Sequence, residues 1–409
     1  MELFKNTNFD FLGKKWPFII ASLVLTVAGF ASMAIKGGLK YGIDFKGGAQ
    51  MRVKFASTPP LDKIRTAMGS SKQIKGEVSV QSFTGVGVEN EVEIATELQE
   101  ESQLNVNRQA MQDVLTEAFG DSKSGKLDFN NAGQETVASR LRDPLARAGV
   151  ALSEQQLQDQ VRSLLEYRDS RLSGLVTDFN QLSSVPGINP GMMNTLRQEC
   201  YLAPFHVMQV QMVGAKVGAD LRNKAVLATL YALGGMLVYI AFRFEWIYGL
   251  GAVIAVFHDT IITLGLFSIF NEEISMTVIA ALLTLVGYSM NDTIVIFDRV
   301  RENLRMSRRE PLEAVMNRAV NQTLSRTIMT SGLTFLTVIA LFIWGGPVLH
   351  GFSFALVCGI IIGTYSSVFI ASPIVLFWHN YADKRKPRTA AAATARSEAP
   401  RKKPTKAVN

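Results

Sequence analysis

Two aspartates stand where a carboxylate is costly to keep, and both have the surroundings of proton carriers. Asp292 lies in Gly287-Tyr288-Ser289-Met290-Asn291-Asp292-Thr293, inside a strongly apolar run, and Asp259 follows His258 inside another. A charged side chain at the middle of a membrane helix costs about 2.5–3.5 kcal/mol even on insertion scales, so residues kept there mark function. Burial favours a neutral carboxyl and a nearby cation an ionised one. A group held between those pulls takes up and releases protons at working pH. The cation for Asp292 is expected to be Arg326, which opens a later apolar run with Asn321 and Gln322 just before it. Asn291 and Thr293 flank the carboxyl and complete the expected proton-coupling set. The competing reading of Asp292 and Arg326 is a static ion pair bracing two helices. For His258 and Asp259, a second relay and a plain interhelical hydrogen-bond pair stand level.

Other chemistry is absent from the sequence. There is no Walker-type loop, no Gly-x-Ser-x-Gly and no pair of metal ligands at a binding spacing. Cys358 falls in an apolar run and Cys200 in a polar region, so no disulfide framework is expected. The expectation is a protein that is not an enzyme and holds no cofactor or metal, with any work driven by an ion gradient or a partner.

The elements that must position these groups are membrane helices. Hydrophobic residues make up 48% of the 409 and charged residues 19%, against about 25% charged in a typical globular chain. About 20 apolar residues at 1.5 Å each cross a hydrocarbon core of about 30 Å. Six spans are expected at 16–35, 225–242, 246–270, 274–297, 327–344 and 351–378. The first is longer than a signal-peptide core, which favours an uncleaved span. Gly249, Gly251, Gly287, Ser289 and Gly332 lie in these runs, where small residues let helices approach closely.

The net charge of +7 belongs to particular loops. Lys14 and Lys15 precede the first span, arginines crowd the 298–326 loop, and nine Lys and Arg lie in the tail beyond Asp383. Between Gly37 and Asn223 there are 20 basic and 22 acidic residues. Positive charge on alternate loops places residues 1–15, the 298–326 loop and the 379–409 tail in the cytoplasm and residues 36–224 outside. The tail reads as disordered.

Residues 36–224 read as a small α+β domain carrying an insertion. Lys40–Asp44 and Ala49–Ala56 are strand-like and Pro60–Met68 helical. Glu77–Phe83 and Glu91–Thr96 alternate as a hairpin about Gly85-Val86-Gly87. Val106–Phe119 has helical spacing, and Phe205–Met212 alternates again. This order is the ferredoxin-like unit, residues 40–119 plus 202–213. Residues 120–201 form a helical insertion, with helices expected at Ala138–Ala148, Glu154–Tyr167 and Gly191–Cys200. The 182–191 segment has a loose helix-hairpin-helix flavour, and a turn linking two helices is the favoured reading.

At several of these places the chain resembles the SecF branch of the SecD/SecF family of protein-export membrane proteins, within the RND superfamily. Tyr41-Gly42-Ile43-Asp44-Phe45-Lys46-Gly47-Gly48 resembles its Gly-Ile-Asp-Phe-x-Gly-Gly signature. The stretch from Gly287 to Asn303 resembles its fourth-span motif almost throughout, and Asn321–Thr327 and Gly345-Gly346-Pro347 continue the likeness. Gly214-Ala215-Lys216-Val217-Gly218 departs from the usual Gly-Pro-x-Val-Gly, and the 120–201 insertion lies outside the resemblance. The resemblance implies an inner-membrane protein with both termini cytoplasmic. It implies a separate SecD chain, the SecYEG translocon, YajC and YidC as partners, and unfolded preproteins as substrate drawn outward by the proton-motive force. It makes Asp292 the proton-responsive carboxylate, Arg326 its modulating cation, and Gly42, Asp44, Gly47, Gly48 and Gly287 structural motif residues. The alternative kept open is a proton-driven small-molecule efflux permease of the RND type.

Overall fold

The structure is a computed structural model of the chain. It describes residues 7–385 except 86–87, 98–102, 122–124, 151, 244–245 and 308–309. The tail expected to be disordered, and the centre of the Gly85–Gly87 turn, lie outside these residues.

Six helices are long and apolar enough to cross a membrane. The chain is a multi-pass membrane protein. The helices are α1 (Lys15–Ile35), α8 (Ala215–Arg243), α9 (Trp246–Phe270), α10 (Met276–Met306), α11 (Leu312–Trp344), and a last span built from α12 (Gly346–Ser366), a π-helical turn (Ser367–Ala371) and α13 (Ser372–Arg385). Several outrun the apolar runs. α8 starts ten residues before the expected 225, and most of the expected 298–326 loop is helical, because α10 and α11 continue into polar sequence. The sides of α1 and α8 away from the bundle carry exposed Leu23, Val24, Leu230 and Tyr231, as lipid-facing surfaces do. Where α1 meets α9, Gly29 and Gly265 are in backbone contact, and a Cβ on Gly29 would lie 2.7 Å from the Gly265 Cα.

The domain between α1 and α8, outer to the helix bundle, has a four-stranded antiparallel sheet of order β2-β3-β1-β6, from β1 (Gly48–Phe55), β2 (Val78–Gly85), β3 (Val88–Glu97) and β6 (Phe205–Val213). Helices α3 (Leu61–Ser70) and α4 (Leu104–Phe119) cover one face and bury Met51, Val53, Ile64, Val92, Ile94, Met111 and Leu115. This is the ferredoxin-like order. One expected strand is corrected: within Lys40–Asp44 only Tyr41 pairs, in a parallel bridge to Ile274, and α2 (Ile43–Lys46) is a single helical turn. Gly47, at φ 78°, ends that turn, and burial of Ile43 and Phe45, Phe45 against the bundle, outweighs their strand propensity.

The insertion has a core of its own. Helices α5 (Gln134–Arg147), α6 (Glu154–Arg171) and α7 (Pro190–Glu199) enclose Leu141, Leu145, Val161, Leu164 and Leu196. Two short strands, β4 (Leu127–Asp128) and β5 (Cys200–Tyr201), pair in parallel where it joins the sheet. Asn130 is fully buried there. Its Nδ2 donates to the carbonyls of Val176 (2.9 Å) and Ala203 (2.8 Å), and its Oδ1 accepts from Val176 N at 3.0 Å. The 182–191 segment links a 3₁₀ turn (Phe179–Ser184) to α7 and buries Leu182 and Val185, so it packs as a turn between helices.

Candidate proton-coupling site

α10 begins at a capped end. Ser275 Oγ accepts from Val278 N at 3.4 Å, and the Asp44 carboxylate accepts from Met276 N at 2.9 Å. Those N–H groups have no partner within the helix, and an anion there is favoured by the helix dipole. Sixteen residues further, about 24 Å along the axis, Asp292 is 3% exposed. The Ser331 hydroxyl of α11 donates to its Oδ2 at 3.0 Å.

The expected set is only partly brought together. Thr293 is buried and its Oγ1 lies 2.9 Å from Ser367 Oγ. Asn291 and Arg326 are exposed. Among the described residues Arg326 makes no ion pair with Asp292 within 4.0 Å, although it is the cation whose charge reaches that carboxyl. Gly287 and Gly332 face open space, so close helix packing does not explain them, whereas a Cβ on Gly251 would lie 2.8 Å from a Val375 methyl.

Asp259 is completely buried and more heavily bonded than Asp292. Its Oδ2 accepts from Ser289 Oγ at 2.5 Å and Ser366 Oγ at 2.8 Å, and its Oδ1 lies 2.9 Å from His258 Nδ1. His258 Nε2 is buried with no hydrogen-bond partner among the described residues. Ser289 and Thr293 are one turn apart on α10, and Ser366 and Ser367 are consecutive. Hydroxyls therefore run from Asp259 to the residue next to Asp292. Ser367 opens the π-helical turn. Pro373 lacks the N–H that would bond back to the Phe369 carbonyl, which disturbs the α-helical ladder there. Such turns often mark functional sites. Ser331, Ser366 and Ser367 were missed in the sequence, and Ser289 was read there only as a small packing residue. Their signal was polarity inside apolar runs, which a search for charges passes over.

The motif before β1 is a joint between the outer domain and the bundle. Gly42 N donates to Ile274 O at 2.9 Å and Ile274 N to Lys40 O at 2.8 Å. A Cβ on Gly48 would lie 2.0 Å from Thr96 O, and one on Gly47 would lie 2.6 Å from the Ala215 Cα. Both also hold positive φ, 148° at Gly48 and 78° at Gly47. Glycine is required at each by space and by backbone.

A six-span membrane bundle with buried carboxyls, tied by one joint to an outer ferredoxin-like domain, defines a transporter-type membrane protein. The chain belongs to the SecD/SecF family. The family model for the C-terminal part of SecD/SecF protein export membrane proteins matches residues 195–381, and that for the SecD/SecF GG motif matches residues 31–59. The protein translocase subunit SecF of Koribacter versatilis is 48% identical over 395 residues, 94% of this chain and 95% of its own. That of Calditerrivibrio nitroreducens is 37% identical, over 92% of this chain and 96% of its own. The crystal structure of SecDF, a translocon-associated membrane protein from Thermus thermophilus, is similar at a TM-score of 0.61 and 28% identity. The match covers 92% of this chain and 39% of that one, so the chain spans about two-fifths of that protein.

Proposed function

We propose that the chain is the SecF subunit of the Sec protein-export machinery, where protonation of Asp292 works through α10 on the outer domain. One observation carries this. The buried carboxyl and the Asp44 cap lie on the same continuous helix, so a shift of α10 reaches the base of the sheet through a hydrogen bond and two backbone bonds. Each charge crossing the membrane yields about 2.3 kcal/mol per 100 mV, and a bias of a few kcal/mol strongly shifts a two-state equilibrium. Transport rather than catalysis fits the absence of any nucleophile and base pairing in the sequence. The efflux reading is not favoured, since the relatives are named protein translocase subunits.

The exposed Arg326 and Asn291 and the open space at Gly287 and Gly332 support a face of α10 and α11 that SecD covers, with Arg326 completing the site in the complex. In this reading the protein lies in the bacterial inner membrane with both termini cytoplasmic. It acts beside SecYEG, with YajC and YidC as further neighbours, on unfolded preprotein emerging outside. The test is export into inverted membrane vesicles. Asp292→Asn should leave the complex assembled and remove the part of export that the proton gradient drives. Unchanged export would refute the role of Asp292.

A further inference from the structure

A polar cavity of about 400 Å³ lies between the outer sheet and the bundle, bordered by Asp44, Gln50, Arg52, Glu93, Glu273 and His350. Glu93 comes from β3 and is 9% exposed; Glu273 comes from the connection between α9 and α10. Both side chains line this one cavity, near enough that the charge of Glu93 bears on Glu273. Room for Glu273 is made by Gly42, where a Cβ would lie 2.7 Å from its Oε1.

The charges facing this pair come from every element around the cavity. Lys40 Nζ is 3.7 Å from Glu273 Oε2, too far for a hydrogen bond, and is buried with no hydrogen-bond partner among the described residues. Arg52 on β1 stands opposite Glu93 and acts on Glu91 as well. Asp44 of α2 adds negative charge, and Glu272 is 3.4 Å from His350 Nε2 of α12. Five carboxyl groups therefore face two fixed cations and one histidine. Two ionised carboxylates sharing a cavity repel, and one proton held by the pair removes that repulsion.

We propose that Glu93 and Glu273 form a proton-binding site separate from Asp292, one proton shared by two carboxyls, whose loss parts the outer sheet from the connection between α9 and α10. The proton comes from the adjacent aqueous phase and returns to it, and no other reactant is needed. Burial and the neighbouring Glu93 push Glu273 up to about 7, and burial also raises Glu93. The joint is closed while the pair is protonated and loosens as the pH rises through neutrality. The adjacent phase is the outer one only on the orientation proposed above; the site itself does not depend on it.

The experiment uses the full chain in lipid nanodiscs, stepped from about pH 5 to about pH 9. Infrared difference spectra should show one protonated-carboxyl band lost near neutrality. It should be absent in Glu273→Gln and retained in Asp292→Asn. In Glu93→Gln, where Glu273 no longer faces a second carboxylate, the loss should move down by about one pH unit or more. Amide exchange at Gly42 and Ile274, corrected for its intrinsic pH dependence, should quicken over the same range in the wild type and not in Glu273→Gln. A band that neither glutamate substitution moves, or protection at Gly42 and Ile274 that ignores pH, overturns the proposal. Neither readout requires export, so a failure of the export reading would leave this result standing.

Discussion

Asp44 accepts a hydrogen bond from the backbone N–H of Met276 at 2.9 Å, and through it the outer domain caps the helix that carries Asp292. The contact spans 232 residues of sequence. In the proposed coupling it gives the aspartate of the Gly-Ile-Asp-Phe-Lys-Gly-Gly segment a mechanical role, since the bond ties the helix end to the domain base.

Removing that cap should uncouple the two parts before it unfolds either. Asp44→Ala is expected to cost about 1 kcal/mol, the usual worth of a capping side chain. Asp44→Asn keeps an acceptor and should cost less. Proton-driven export should fall severalfold in Asp44→Ala, with the complex still recoverable from detergent. Full export in that variant would show that the cap transmits nothing.

The fold was legible to a large extent, and the reasons are physical. Apolar runs near 20 residues have few alternatives to a span, and the alternation of Val78, Val80, Val92 and Ile94 fixed the sheet faces. The stretch 40–44 was misread because Ile43, and Phe45 just beyond it, are buried on a helical turn, Phe45 against the bundle, rather than by a sheet partner. Site geometry was less legible. Asp292 and Asp259 are conspicuous as charges in apolar sequence, but which hydroxyls meet them depends on the rotation of α10, α11 and the last span about their axes. Glu93 and Glu273 could not be paired in advance, since 180 residues separate them and each reads alone as a solvated surface acid.

Asp259 separates a relay from a brace. Asp259→Asn preserves shape, and an amide oxygen in the place of Oδ2 still accepts both serine hydroxyl bonds, so the protein should assemble. A relay predicts lost proton-driven export in that variant; a brace predicts normal export with a lower melting temperature. Asp259→Leu strands the Ser289 hydroxyl and His258 Nδ1, each costing about 1–3 kcal/mol, leaves Ser366 only the Gly363 carbonyl, and should prevent stable insertion. Comparing the two by export and by thermal melting in detergent decides between the readings.

Gly48 cannot be replaced quietly. A methyl group there would sit 2.0 Å from the Thr96 carbonyl oxygen at φ 148°. That oxygen belongs to the backbone of the neighbouring strand, so β1 must move away from β3. Gly48→Ala should lower stability by more than about 2 kcal/mol. Gly69→Ala, inside α3 where a Cβ would meet nothing within 4 Å, should leave it unchanged or slightly higher. Differential scanning of the two variants side by side checks the contrast.

The insertion should detach when its buried amide is lost. Asn130, fully enclosed, satisfies the carbonyls of Val176 and Ala203 and the N–H of Val176. Asn130→Ala strands those groups at about 1–3 kcal/mol each, whereas the core around Leu141, Leu164 and Leu196 is untouched. The helices of the insertion should therefore stay folded while their attachment loosens. Limited proteolysis should then cut within residues 125–133 or 200–205, releasing an intact helical fragment, while the membrane bundle resists. Cleavage scattered through α5, α6 and α7 instead would mean that the insertion takes its stability from the sheet and not from its own core.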